Sequence, residues 1–161
     1  MAHEIERKFL VNVARWKPDP AGGVRYRQGY LSTDPDRVVR IRVAGPKAFL
    51  TVKGRTAGIS RLEFEYPIPM ADADAMLDAV CLRPLVEKVR YRETHEGRVW
   101  EIDVFAGENA GLVMAEVELP SADAVVTLPG WVGREVSDDP RYFNSNLIKH
   151  PYSAWSPTGR G

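Results

Sequence analysis

Cysteine, histidine and net charge are all scarce in this sequence. One cysteine and three histidines occur in 161 residues, and 22 basic side chains balance 22 acidic ones. The lone Cys81 cannot form an internal disulfide, which predicts a reducing, cytoplasmic setting. The scattered histidines have no zinc spacing, so His3 and His95 read as surface residues. No apolar run approaches the length of a membrane span, and the charges within His3–Val11 do not read as a secretory signal. A zero net charge offers no drive for counterion release on nucleic acid. Gly22-Gly23 and Gly45-Pro46 match no phosphate-cradling loop. A membrane or nucleic-acid partner is therefore not expected.

What the sequence does have is alternation of apolar and polar residues, the pattern of strands. It runs through His3–Val11, Val24–Leu31, Arg37–Val43, Ala48–Lys53, Arg61–Tyr66, Val86–Arg92, Arg98–Phe105 and Leu112–Leu119. Turn chemistry separates them at Thr33–Asp36, Gly45-Pro46, Gly54–Gly58 and Glu96-Gly97. The short connections favour an antiparallel meander. One stretch breaks the pattern: Ala71–Leu82 sets Met76, Leu77, Val80 and Cys81 on a helical stripe, with Asp72 and Asp74 in the first turn. A second helical segment is expected from Asp139-Pro140, an N-cap followed by proline. The tail from about residue 153 to 161 reads as flexible. The length suits one domain. Eight antiparallel strands make either a sandwich or a closed barrel.

Charges are sorted by strand. Glu4/Glu6, Glu63/Glu65, Glu101/Asp103 and Glu116/Glu118 are acid-x-acid pairs, whereas Arg40/Arg42 and Lys88/Arg90/Arg92 are base-x-base sets. In a strand this spacing puts both members on one face, where like charges repel. Paired carboxylates suit hard divalent cations, and paired Arg and Lys suit phosphate oxygens. A ligand requiring both is a metal-chelated polyphosphate held in a charged lumen. The competing reading is an open sheet carrying cross-strand Glu–Arg pairs in water.

Glu4-Ile5-Glu6-Arg7-Lys8 resembles the E-x-E-x-K signature of the CYTH superfamily, the triphosphate tunnel metalloenzymes. Arg40-Ile41-Arg42, Lys53, Glu63-Phe64-Glu65, Lys88-Val89-Arg90 and Glu116-Val117-Glu118 follow in that family's order. Arg27–Ser32, Phe49–Gly54 and Pro140–Leu147 look like its short bacterial branch, which resembles the inorganic triphosphatases. The resemblance implies a mainly β (α+β) fold over residues 1–152: an eight-stranded antiparallel β-barrel with one inserted helix and a C-terminal helical segment. It also implies cleavage of tripolyphosphate with Mg²⁺ or Mn²⁺, by a monomer or homodimer.

Carried over by resemblance, Glu4, Glu6, Glu116 and Glu118 would hold metal. Glu63, Glu65 and Asp103 would hold a second metal or the attacking water. Arg40, Arg42, Lys53, Lys88 and Arg90 would grip phosphate, with Arg61 and Arg92 on the same faces. Lys8 would orient phosphate or water, and Tyr30 near Lys88 would donate to a bridging oxygen. Tyr30 as a wall aromatic is the equal alternative. Trp100 and Trp131 read as packing residues, and Cys81 as core. Adenylate cyclase chemistry, thiamine or nucleoside triphosphate hydrolysis, and a polyphosphate-binding module without turnover remain open.

Overall fold

The computed structural model describes residues 3–159. The alternating stretches form strands β1 (His3–Val11), β2 (Val24–Ser32), β3 (Val38–Ala44), β4 (Lys47–Lys53), β5 (Ser60–Pro67), β6 (Val86–His95), β7 (Arg98–Phe105) and β8 (Val113–Glu118). All pairings are antiparallel, in the order β5-β4-β3-β2-β6-β7-β8-β1. β1 then pairs with β5 through His3↔Leu62, Glu4↔Arg61 and Ile5↔Ser60, and the sheet closes on itself as an eight-stranded barrel. Closure excludes the open-sheet reading.

Outside the barrel, most apolar faces are packed, whereas Leu62, Phe64 and Tyr66 on the outer face of β5 are exposed. The helix α1 (Met70–Ala79) buries Ala73 and Leu77 against Ile41 and Ala48. Phe9, Trp100, Ile102, Ala115 and Val117 pack with Trp16 and Trp131 from the loops on the opposite side. Trp100 and Trp131 meet edge to face at 5.7 Å, as packing residues. Cys81 is buried beside α1, as expected, and burial pushes its thiol up. Val80 departs from the expected stripe. The helix stops at Ala79, so Val80 falls out of phase and is 59% exposed.

Inside, each strand changes character along its length. At one end the inward row is Leu10, Tyr30, Val38, Val86, Phe105 and Met114, packed with Tyr142, Leu147, Ile148 and Trp155 from the C-terminal segment. That segment is a 3-10 turn (Pro140–Tyr142), capped by Asp139 accepting from the Arg141 amide, followed by a short helix α2 (Asn144–Leu147). It fills one end of the barrel. The expected flexible tail does not begin at residue 153: Trp155 is 5% exposed and stacks edge to face on Tyr142 at 5.0 Å. Residues 160 and 161 lie outside the described residues. A strand that alternation did not reveal, β9 (Val132–Glu135), pairs with the C-terminal half of β1.

Gly29 marks a tight approach between the barrel and the connection from α1 to β6. A Cβ there would lie 2.8 Å from Cys81 Cβ and 2.8 Å from Leu85 Cδ2. Gly29→Ala is expected to cost about 1–3 kcal/mol through overpacking, read as a Tm several degrees lower in thermal unfolding; an unchanged Tm would show that this contact is slack.

Candidate active site

The closed ladder fixes which side chains share the interior. Even-numbered residues of β1, β2, β3, β6 and β8 point inward, as do odd-numbered residues of β4, β5 and β7. Beyond the apolar end they line a cavity of about 460 Å³. Glu4, Glu6, Lys8, Tyr30, Arg40, Arg42, Lys53, Arg61, Glu63, Glu65, Lys88, Arg90, Arg92, Glu116 and Glu118 all line it. Of the residues singled out from sequence, only Asp103 is not part of that lining.

Going round the barrel, sign is segregated. β7, β8, β1 and β5 carry the acidic arc, and β4, β3 and β6 carry the basic one. Register even sets like against like, with Glu6 opposite Glu118 and Glu101 opposite Glu116. Ion pairs form where the arcs meet. At one border Lys53 Nζ lies 3.1 Å from Glu4 and 3.2 Å from Glu63. Arg40 Nη2 donates to Thr51 Oγ1 at 3.2 Å and to Glu65 at 3.4 Å. At the other border Asp103 receives Arg90 in a two-pronged contact of 2.7 and 2.8 Å, and Lys88 at 2.8 Å. Asp103 is therefore a counter-ion beneath two cavity cations. It does not present its oxygens to the cavity as a metal or water ligand would, because the heads of Lys88 and Arg90 occupy both.

Compensation is incomplete within the acidic arc, where Lys8 reaches Glu116 at 3.5 Å and Glu6 only at 3.9 Å. Burial, then Glu116 and Glu4, push the Glu6 carboxyl up to about 8. Burial and a hydrogen bond to Glu4 raise Glu63 to about 7. Glu116 differs: burial would raise it, but Lys8 at 3.5 Å, Arg90 and Lys88 hold it well below the usual range. On the basic side, burial and then Arg40 and Arg90 lower Arg42 to about 10. Among the described residues no carboxylate pairs with Arg42; its Nε donates to the Gln28 amide oxygen at 2.9 Å. Burial drives Lys88 down to about 7, where Asp103 opposes the shift but Arg90 and Arg42 reinforce it. Against its own burial, Asp103 is held at about 2 by Lys88 and Arg90. The pair is unequal because Asp103 divides its charge between two cations while Lys88 also faces two guanidiniums. Arg40 Nε is buried without a hydrogen-bond partner, a donor available to an anion in the cavity.

Toward the mouth, Arg92 pairs with Glu101 at 2.8 Å and donates to Tyr26 OH at 3.2 Å. Arg61 donates to the Gly54 carbonyl at 3.1 and 3.2 Å and so also ties the β4–β5 loop. At the inner end Phe143, Asn144 and Ser145 complete the cavity wall. Lys8 Nζ sits 5.4 Å over the Phe143 ring, and Lys88 Nζ donates to Asn144 Oδ1 at 3.0 Å. Gln28 and Asn144 escaped the sequence reading, since a neutral amide carries no charge sign to sort by.

The carboxylates suit a divalent cation by donor type: oxygen ligands, anionic and crowded enough to raise one another's affinity for positive charge. Among the described residues no three of them stand in ligating geometry. Glu4 and Glu116 are engaged by Lys53 and Lys8.

Known proteins share this architecture. The CYTH domain model matches residues 2–152. An inorganic triphosphatase of Acetivibrio thermocellus is 54% identical over 152 residues, covering 94% of this chain and 97% of that protein. An inorganic triphosphatase of Nitrosomonas europaea is 40% identical over 148 residues, covering 89% and 95%. The crystal structure of an inorganic triphosphatase superposes with a TM-score of 0.63 at 39% identity, covering 90% of this chain and 97% of that one. A structure from Bacillus halodurans described as a putative adenylate cyclase has a TM-score of 0.62 at 16% identity, with 76% and 84% covered, a likeness of fold alone. With a family model spanning nearly all of its length and two relatives at these identities, the chain belongs to the CYTH domain family.

Proposed function

We propose that this chain hydrolyses inorganic triphosphate, releasing orthophosphate and pyrophosphate. The observation that carries the reading is the segregated cavity, an acidic arc facing a basic arc across one enclosed space. The activity named for relatives 54% and 40% identical supports it. Membership of the CYTH family implies dependence on a divalent cation, for which Mg²⁺ or Mn²⁺ is the proposal here.

Arg40, Arg42, Lys53, Lys88 and Arg90 grip the phosphate oxygens. The unpartnered Arg40 Nε and the uncompensated Arg42 are poised for an anion. Glu4, Glu6, Glu116 and Glu118 would hold the cation, directly or through water, with Glu63 and Glu65 placed for a second cation or the attacking water. A bound divalent cation would supply neutralisation of phosphate charge and polarisation of water. Lys8 lines the cavity beside Glu116, 3.5 Å from the carboxylate, and orients phosphate or water. Tyr30 and Lys88 offer donors to the developing charge on the leaving oxygen. Water attacks the terminal phosphorus and gives up its proton to solvent, the P–O bond to the bridging oxygen breaks, and pyrophosphate departs with that oxygen while the attacked phosphoryl group becomes orthophosphate. The protein's share is positioning and preorganised charge.

A triphosphate bearing an organic group is the second reading, favoured by the apolar lining of Val24, Ala44, Pro46 and Phe49. A phosphate-release panel separates the two. Tripolyphosphate, ATP and thiamine triphosphate are offered with Mg²⁺ or Mn²⁺, and cyclic AMP is assayed in parallel. Fastest release from tripolyphosphate is expected; faster turnover of ATP, or cyclic AMP formation, overturns the first reading. A chelator should abolish release, and added Mg²⁺ or Mn²⁺ should restore it.

Glu6→Gln should reduce release by about a hundredfold or more with unchanged circular dichroism, since burial already favours the neutral carboxyl at that position. Retained activity would remove Glu6 from the metal set. Arg42→Met should raise KM about tenfold or more while Tm holds or rises, because the guanidinium is buried between Arg40 and Arg90. An unchanged KM would take Arg42 out of the phosphate grip.

A further inference from the structure

Between the two basic strands β3 and β6, strand β2 turns a neutral face inward: Tyr26, Gln28 and Tyr30. Gln28 is fully buried, and a primary amide buried without partners is costly. Every polar atom of this one is engaged. Oε1 accepts from Arg42 Nε at 2.9 Å. Nε2 donates to Tyr30 OH and to Asn144 Oδ1, each at 3.1 Å. Asn144 Oδ1 also accepts from Lys88 Nζ at 3.0 Å.

Chemistry forces the direction of each bond. Guanidinium and ammonium only donate. Arg42 therefore requires the amide oxygen of Gln28, and Lys88 requires the amide oxygen of Asn144. The amino group of Gln28 is left facing the phenol, whose oxygen must accept. A phenol that accepts from Gln28 has its own hydrogen free to point elsewhere, and Tyr30 lines the cavity.

We infer that Gln28 is a positioning residue, itself braced by Asn144 from the C-terminal segment, and that it turns the Tyr30 hydroxyl hydrogen toward a bound triphosphate. A carboxylate in its place would accept that hydrogen instead and would neutralise Arg42. The amide holds the same partners without quenching the charge that phosphate needs. The inference rests on the triphosphatase reading above.

A double-mutant cycle on kcat and KM for tripolyphosphate tests it, using the full chain as wild type, Gln28→Met, Tyr30→Phe and the double variant. Gln28→Met should lower kcat about tenfold or more, with KM altered only a few-fold through Arg42. In the Tyr30→Phe background the same change should lower kcat by less than about twofold. An equal loss in both backgrounds, or no loss in the wild type, overturns the inference. If Gln28→Met does not fold, Asn144→Ala in the same two backgrounds reads the coupling one bond further along. A coupled loss supports the inference, and an additive loss overturns it. Failure of the wild type to release orthophosphate would instead overturn the triphosphatase reading, and this inference with it.

Discussion

Like charges held side by side are the constraint on which the rest of this structure depends. Glu6 stands opposite Glu118, Glu101 opposite Glu116, and Arg42 between Arg40 and Arg90. Left to themselves these groups would turn away from one another into water. The continuous ladder of a closed barrel prevents that, because each strand's facing is fixed by two neighbours and a slip of one residue would send every charge outside. Burial of the apolar outer faces against α1 and the tryptophan-bearing loops stabilises that facing. Stability gained outside thus offsets repulsion kept inside.

The two ends of the barrel divide this work. The inward row at one end is hydrocarbon and aromatic, and the C-terminal segment seats Tyr142, Leu147 and Trp155 in it. The next inward residues along the same strands are polar or ionisable: Lys8, Gln28, Arg40, Lys88, Asp103 and Glu116. Asn144 belongs to both regions: its backbone starts α2, while its side chain reaches Lys88 and Gln28. The segment is therefore a wall of the cavity as well as a stopper. Asp103 has a comparable double role, buried at 1% exposure and binding two cations that themselves reach the cavity.

Much of this was legible in the residues. Period-two alternation located eight strands, because each has an apolar outer face and a lumen face, although the outer face of β5 is left exposed. The sorting of Glu4/Glu6 against Arg40/Arg42 pointed to a shared interior, because an ordinary wet face mixes its signs. Four things were not legible. β9 is four residues long, too short for alternation to register. Asp103 has the same parity as Glu101, and parity cannot tell a residue that lines a cavity from one covered by its neighbours' heads. Gln28 and Asn144 are neutral, and their importance lies in bond direction, which only coordinates reveal. Trp155 was read as tail because its partners, Tyr142 and the barrel floor, come from other segments.

The pairing of β1 has a consequence for how the molecule comes into being. β1 takes all its partners from later in the chain: Ser60–Leu62, then Met114–Glu118, then Val132–Glu135. As the chain emerges in order, β2 through β4 can zip with their neighbours while β1 waits. Glu4 can meet Lys53 and β5 early, but Glu6 has no facing strand until β8 arrives, and the cavity has no floor until Tyr142 and Trp155 follow. A nascent chain stopped short of those residues would leave the apolar inward row of Leu10, Tyr30, Val86 and Met114 uncovered, so the segment bearing Tyr142 and Trp155 is the one that turns a tube into a vessel.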